Sequence, residues 1–526
     1  MTDAEFKKLK DDLWHSADML RASAHLAANK YGQPILGLIF LRYADILFKQ
    51  HKAEIEAEYA RKKGGRAERS IKQISIEKCG FYLPECAYYD VINDAPDDAN
   101  KAILVKNAML AIENENEKMD GVLPKEVYGQ LVPEEEPELL SKIIRVFKDI
   151  PESISVDIFG EIYEYFLGNF ALQEGKDGGT FYTPATVVRY MVEVLKPEIG
   201  NKLFLDPACG SGGMFVQAAR YMHRHNASAD DMMKFMCYGV EKEPDTVKLA
   251  KMNLLLNNVR GDIREANSFY ADPHNAVGRF DYVMANPPFN LKKWRTENEL
   301  LTDVRWAGYG VPPVSNANYA WILHMLSKLN VVNGVAGFLL ANGALGDTDT
   351  YEIRRKLIEN DKVEAIIVLP REMFYSTDIS VTLWILNQNK KGGLYHNRQL
   401  RDRTGEILFV DLRTWNQNIY EKKYVQFLPE QIKRVAEIYH TWQSVGTESA
   451  GYAVPELYRS VSFKEIKDNG FSLVPSRYIE FVDRDKDIDY ERIMSDTASV
   501  VADLLKRQTE NQKALKDAFK ELGYEF

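Results

Sequence analysis

The sequence predicts an α/β protein: a helical N-terminal part, a doubly wound, mostly parallel sheet with helices on both faces, and a helical C-terminal tail. Three observations carry that prediction. Up to about residue 170, apolar residues recur at three- and four-residue steps (Leu13, Ala17, Leu20, then Leu36, Ile39, Phe40, Tyr43), which is the helical period. From Leu203 onward, short apolar runs alternate with helical patterns, as parallel strands covered by helices do. Near the end, Val501, Leu504, Leu505, Gln508, Gln512, Leu515, Phe519 and Leu522 return to helical spacing. The chain accordingly divides into a helical interaction domain at 1–170, an α/β domain at 171–415 and a C-terminal region at 416–526.

Composition narrows the class. With 526 residues, 45% hydrophobic and 27% charged, the chain has the make-up of a globular protein of several domains. A net charge of −10 works against gripping a polyanion alone, because affinity for DNA comes largely from Lys and Arg on phosphates. Any grip on nucleic acid is therefore expected to lean on a partner. The four cysteines, Cys79, Cys86, Cys209 and Cys237, form no C-x-x-C pair, so neither a zinc site nor a disulfide framework is expected, and a reducing cytoplasm fits. The first residues lack the basic segment and apolar core of a signal peptide, and the run Ile35 to Leu41 is too short to span a bilayer. No membrane association is expected.

In chain order, a glycine-rich link, Glu174 to Gly179, leads into Thr180-Phe181-Tyr182-Thr183-Pro184 and a helix carrying Val187, Val188, Met191, Val194 and Leu195. Thr183 suits the N-cap of that helix and Pro184 its first turn. Leu203-Phe204-Leu205 reads as a strand running into Asp206-Pro207-Ala208-Cys209-Gly210-Ser211-Gly212-Gly213, followed by a helix with Met214, Phe215, Ala218, Ala219 and Met222 on one face. Strand, glycine-rich turn and helix in this order make a nucleotide-binding unit. The turn lacks the lysine of a phosphate loop, and an acid before its glycines favours a ligand with a positive amine over a pyrophosphate. A second strand, Cys237 to Val240, ends at Glu241, where a carboxylate can accept from both ribose hydroxyls. Asn267-Ser268-Phe269, after a Gly261-Asp262 turn, is expected to close the third strand. Later strands are expected at Val335 to Leu340, Val363 to Leu369, Val381 to Leu386 and Ile407 to Val410, with helices at Tyr319 to Leu329 and Tyr351 to Glu359.

The stretch with the most chemistry in it is Phe280 to Phe289, FDYVMANPPF. A buried strand is stopped at Asn286 by two successive prolines, which fix φ and remove two amide donors. What stands at the strand end is a carboxamide, free carbonyls and an aromatic face. An amino group conjugated to a planar ring needs acceptors for its two hydrogens and a surface to stack on. Asn286 and the Pro287 carbonyl can be the acceptors and Phe289 the surface, with Pro288 holding the turn. Read alone, the same tetrapeptide is equally a rigid strand-end turn with a structural Asn. The terminal helix likewise admits two readings, packing on its own protein or docking against a partner helix.

In order, LWHSADMLRASAHL, LGLIFLRYADILF, GGTFYTPATVV, DPACGSGGMF, the strand-end Glu241, NPPF and MFYSTDISVTLWIL together resemble the amino-methyltransferases that use S-adenosylmethionine. They resemble most closely the modification subunits of type I restriction-modification systems. The resemblance implies a Rossmann-like class I methyltransferase fold for 171–415 and a DNA adenine-N6 methyltransferase activity on a flipped base. It implies that Asp206 and Gly210-Ser211-Gly212 hold the methionine part of the cofactor and Glu241 its ribose, with Thr180, Tyr182 and Thr183 closing over the methionine end. Asn267 falls at the third cofactor contact, although Ala266-Asn267-Ser268-Phe269 lacks the acid expected there. Asn286 and the Pro287 carbonyl would take the amino hydrogens, with Phe289 and Phe374 stacking on the base. The implied partners are duplex DNA, a specificity subunit that reads sequence for two copies of this chain, and a restriction subunit. No cysteine lies in the Asn-Pro-Pro-Phe loop, as attack at a cytosine ring carbon would need. Other acceptors for the same chemistry are RNA or a protein glutamine, and the reading from another class is a non-catalytic scaffold.

Overall fold

The structure is a computed structural model that describes every residue except 1–2, 26–27, 64–67, 97–98, 133–136, 155–156, 175–182, 199, 375–378, 396–397, 416–424, 483–488 and 525–526. The N-terminal part consists of helices α1 (Asp3–Ser23), α2 (Ala28–Lys62), α3 (Ile71–Cys79), α4 (Tyr89–Asn93), α5 (Lys101–Glu115), α6 (Leu139–Lys148) and α7 (Asp157–Glu174). Their apolar stripes meet in one core that includes Ile35, Ile39, Phe40, Ile112, Phe147 and Phe166. At the edge of this core Asp45, Asp90 and the exposed Glu152 bring carboxylate oxygens together, and Lys49 reaches all three, so the trio is an ion-pair knot.

The sheet is built from β1 (Leu203–Asp206), β2 (Met236–Glu241), β3 (Gly261–Glu265), β4 (Tyr282–Ala285), β5 (Val335–Ala341), β6 (Val363–Val368) and β7 (Val381–Asn387). It is completed by β10 (Glu406–Asp411), β11 (Ala453–Val454) and β12 (Tyr458–Ser462), while β8 (Gly393–Tyr395) and β9 (Arg398–Leu400) form a separate hairpin. The order is β11-β12-β10-β6-β7-β5-β4-β1-β2-β3. Pairing is parallel from β3 through β5, and β7 runs antiparallel to both β5 and β6. From β1 the chain goes first to β2 and β3 on one side and then to β4 and β5 on the other. The β1–β4 border is therefore the topological switch point, the crevice where open α/β sheets keep ligands.

Both faces of the sheet are covered, which explains the almost uninterrupted apolar runs of β4, β5, β6 and β7. Alternate residues go to opposite cores: Phe204 and Leu339 to one, Leu205 and Phe338 to the other. The first face is covered by α8 (Ala185–Leu195), α9 (Gly213–Arg224), α11 (Pro244–Leu256) and α14 (Pro429–Gln443); the short α10 (Ala229–Lys234) precedes β2. The second is covered by α12 (Asn318–Lys328), α13 (Tyr351–Glu359) and α15 (Phe463–Asp468).

Two expectations are corrected. The third strand is Gly261–Glu265 itself, and Asn267-Ser268-Phe269 form the turn after it, because the Asn267 Oδ1 accepts from the Phe269 amide (3.1 Å) and folds the chain back on itself. The residue that caps α8 is Pro184 and contributes no side-chain bond, so Thr183 is free of that duty. One compact unit runs from the N-terminus to Ile479, apart from 454–456. The other unit, 454–456 with 480–526, is dominated by α16 (Tyr490–Glu521). Asp489 caps α16 by accepting from the Arg492 amide (3.0 Å), and Val500, Val501, Leu504, Leu505 and Leu515 along it are exposed.

The N-terminal helices are wired to the sheet layer through α7 and α11. Met252 and Leu256 of α11 belong to the N-terminal core, and the Tyr163 hydroxyl donates to the Leu249 carbonyl (3.2 Å). Gly160 lies so close to α11 that a Cβ there would sit 2.2 Å from the Asn257 Oδ1. Arg220 of α9 donates to the buried Glu164 (2.5 Å) and to Asn257 (3.0 Å). Burial holds the Glu164 carboxyl above its ordinary range despite that arginine. Arg220→Met is expected to destabilise the fold by roughly 3 kcal/mol, because the buried Glu164 loses its counter-charge. Because the raised carboxyl favours the protonated form, the loss should shrink as pH falls, and adding Glu164→Gln should recover most of it. Denaturant melts at two pH values would check both.

Candidate active site

Three backbone turns at the C-terminal edge of the sheet converge on one cleft. The first follows β1. Cys209 donates its amide to the Val240 carbonyl (3.0 Å), and Gly210 and Gly212 take left-handed φ values of 50° and 77°. Gly212 also abuts α11, where a Cβ would meet the Leu254 side chain at 2.8 Å. Cys209 packs against Gly239, and burial pushes its thiol well up, so it is a small filler and not a nucleophile. The second turn follows β2. Glu241 accepts from the amides of Gly210 (3.0 Å), Lys242 (2.8 Å) and Glu243 (3.0 Å), which fixes its carboxylate at the strand end and ties it to the glycine turn. The third follows β3, where Ser268 donates to the Pro207 carbonyl (2.5 Å) and Arg305 donates to the carbonyls of Ser268 (3.2 Å) and Phe269 (2.6 Å).

Asn286 stands at the end of β4. Its Nδ2 donates to the Thr183 hydroxyl (2.7 Å), while its buried Oδ1 accepts nothing from the described residues. Among the described residues, the Pro287 carbonyl accepts no hydrogen bond either. Phe289 is half-buried, and the ring of Phe374 meets it edge-on at 6.3 Å between centroids.

Asn286, Pro288, Phe289, Thr183, Asp206, Gly210, Ser211, Glu241 and Asn267 all line a single cleft of about 750 Å³. Of the remaining predicted site residues, Gly212 shapes the glycine turn, Pro287 shapes the Asn286 turn, and Phe374 backs Phe289 from outside the lining. Thr180 and Tyr182, with the link at 174–179 before them, fall on or beside residues outside those described. Sequence reasoning missed the opposite wall, where Gln33 and Leu36 of α2 and Phe170 of α7 face the glycine turn. It also missed Leu291 and Trp294, which follow the Asn-Pro-Pro-Phe turn, and Trp321 of α12. The N-terminal helical pattern pointed to a core and carried no sign that one edge of it lines a cleft.

Asp206 is the electrostatic centre of this cleft. It is almost wholly buried, its Oδ1 accepts from the Ala208 amide (3.0 Å), and burial, helped by Glu241 nearby, raises its carboxyl from 3.8 to about 8. A buried acid at the head of a glycine turn, a pinned strand-end carboxylate and a cleft in the size range of ligand sites suit a nucleoside that carries a cationic amino acid. S-adenosylmethionine has that make-up, so these residues fit it.

A doubly wound sheet with this cleft and an Asn-Pro-Pro-Phe turn at its switch point defines an S-adenosylmethionine-dependent amino-methyltransferase. Comparison with known proteins agrees. Residues 154–487 match the N-6 DNA methylase family model and residues 9–147 the HsdM N-terminal domain model. The methylase subunit of the type I restriction enzyme HindI of Haemophilus influenzae is 34% identical, over 87% of this chain and 98% of that protein. The MjaIX methylase subunit of Methanocaldococcus jannaschii is 32% identical, over 98% and 92%. A type I restriction-modification methyltransferase subunit from Streptococcus thermophilus shares the fold with a TM-score of 0.73 at 22% identity, over 90% of this chain and all of that one. The chain thus belongs to the N-6 DNA methylases and, among them, to the methylase subunits of type I restriction enzymes.

The Asp206 carboxyl disfavours folding as pH rises: what it contributes is present below its ordinary value of 3.8 and is lost as pH climbs toward 8. Asp206→Asn is therefore expected to raise the melting temperature of the ligand-free protein by about 2–4 °C near neutral pH. It should also weaken cofactor binding by at least about tenfold. In the unsubstituted protein, titration calorimetry of the cofactor should show tighter binding and less proton release as pH rises to about 8, because the ligand's ammonium favours the carboxylate.

Proposed function

We propose that this chain is the catalytic subunit that methylates N6 of a flipped adenine in duplex DNA, with sequence read by a separate specificity subunit. The observation that carries the reading is the Asn286 carboxamide, held at the switch point beside Asp206 and Glu241 with a buried oxygen awaiting a donor. The Asp206 carboxylate and the Gly210-Ser211-Gly212 turn hold the amino-acid end of the cofactor, Glu241 its ribose hydroxyls and Asn267 the far side of the nucleoside. Thr180, Tyr182 and Thr183 close the methionine end. When bound, S-adenosylmethionine supplies a methyl made electrophilic by its sulfonium. Asn286 Oδ1 and the Pro287 carbonyl accept the two amino hydrogens of the base, which draws the nitrogen lone pair out of the ring toward the methyl. Phe289, backed by Phe374, stacks on the base, and stacking of roughly 1–3 kcal/mol offsets an extrusion cost of a few kcal/mol.

The division of labour follows the chain: 1–170 forms a wall of the cleft and an assembly surface, 171–415 does the chemistry, and 416–526 ends in the partner helix. The acidic chain needs that partner for much of its grip on DNA. The exposed apolar stripe of α16 suits a helix of the specificity subunit, with two copies of this chain per specificity subunit and a restriction subunit joining for cleavage. Among the described residues no helix is long and apolar enough to cross a membrane, and a cytoplasmic site of action accords with DNA as substrate.

Labelled cofactor incubated with duplex DNA and the assembled complex should place label on adenine N6; label on protein or RNA instead overturns the reading. Asn286→Ala should lower transfer at least about 100-fold and leave cofactor affinity within about threefold, because the lost contacts belong to the base. Removal of the chain from Val501 onward should abolish co-purification with the specificity subunit while calorimetry finds cofactor affinity unchanged.

A further inference from the structure

A carboxamide is nearly symmetrical in shape, and only its hydrogen bonds decide which end is oxygen and which is nitrogen. For Asn286 the distinction is decisive, since an amino group needs the oxygen and is repelled by the NH2. The side chain is buried, with relative exposure of 8%. Among the described residues its bonded neighbour is the Thr183 hydroxyl, 2.7 Å away. A hydroxyl both donates and accepts, so Thr183 by itself is indifferent to the choice. If its hydrogen points at Asn286, the amide oxygen turns toward Thr183 and the NH2 faces the acceptor side. If its hydrogen points elsewhere, only lone pairs face Asn286, and the amide oxygen is left for the base.

The position of Thr183 says what directs that hydrogen. Thr183 lines the main cleft together with Asp206, Gly210 and Ser211, and it also borders a small neighbouring void of about 10 Å³ together with Ser211 and Gly213. It thus touches the Asn286 carboxamide and shares two cavities with residues of the glycine turn. It is not occupied in capping α8, whose cap residue Pro184 makes no side-chain bond. Resting on the proposed function, we propose that Thr183 is a positioning residue through which the carboxylate of a bound amino-acid nucleoside sets the orientation of Asn286. The carboxylate takes the hydroxyl hydrogen, Thr183 then offers Asn286 lone pairs alone, and the carboxamide turns its oxygen to the incoming amine. Cofactor occupancy and recognition of the base's amino group are coupled through one hydroxyl, with no movement of the backbone.

The test uses the assembled complex and duplexes that carry adenine or purine, which lacks the 6-amino group, at the target position. With saturating S-adenosylhomocysteine, the unsubstituted complex should bind the adenine duplex about tenfold more tightly than the purine duplex. With methylthioadenosine, which has no amino-acid carboxylate, or with no ligand, the preference should fall below about twofold. Thr183→Val, close in volume but without a hydroxyl, should show the low preference with every ligand and a kcat lowered about tenfold or more at saturating DNA and cofactor, and Thr183→Ser should restore both. The proposal is overturned if Thr183→Val keeps the ligand-dependent preference, if Ser fails to restore it, or if the unsubstituted complex prefers adenine equally with and without the carboxylate. Absence of any adenine preference in the unsubstituted complex under all conditions would instead remove adenine as the acceptor and with it the reading on which this proposal rests. A melting temperature for Thr183→Val within about 2 °C of the parent separates loss of positioning from loss of fold.

Discussion

A buried acceptor that accepts nothing costs a folded protein roughly 1–3 kcal/mol, and among the described residues nothing donates to the Asn286 Oδ1. The surrounding architecture offers it few donors. Pro287 and Pro288 end β4 and supply no amide that could turn back and satisfy the oxygen. Thr183 engages the nitrogen end of the same carboxamide. The switch of strand order between β1 and β4 places this group beside Asp206 at the mouth of the sheet. Stability given up at one atom is recovered as readiness to bind, in the way that strained or unsatisfied groups gather at working sites.

Asp206 repeats the theme with charge. A carboxyl shut away from water resists ionisation, and it stays costly to the free protein until a cation arrives. The backbone around it is correspondingly rigid. Glu241 is held by three amides, Ser268 ties the turn after β3 to the turn after β1, and Arg305 pins that same turn from the long segment that follows Phe289. The bonds from Gly210 to Glu241, from Ser268 to Pro207 and from Arg305 to Ser268 and Phe269 cross between segments far apart in the chain, so the cleft has a fixed shape although it is made of loops. The N-terminal helices take part in it as well. Their seam with α11 and α9, closed by the near contact at Gly160 and the buried pair of Glu164 with Arg220, brings Gln33, Leu36 and Phe170 to face the glycine turn.

What the amino-acid sequence determined unaided is the local chemistry. Two prolines after an apolar run end a strand at Asn286, glycines after Asp206 make a tight turn into a helix, and Glu241 ends the next strand. Each of these follows from dihedral and steric rules acting within a few residues, and the structure brings these groups to one cleft. Short-range rules gave the wrong answer at Thr183, which has the residue type and place of a helix cap yet spends its hydroxyl on a side chain 103 positions away. They also put the third strand at 267–269, because an Asx turn and a strand end look alike in a short run of residues.

Tertiary structure alone decided the rest. Nothing in the apolar run Val381 to Asn387 says that β7 inserts antiparallel between β5 and β6, since a strand buried on both faces carries the same pattern in either direction. Nothing in the helical period of α2 says that Gln33 looks onto a cleft rather than solvent. Residues 183, 206, 241 and 286 become one site only when the sheet is assembled, for a hydrogen bond acts over about three ångströms and the chain between its ends carries no record of it.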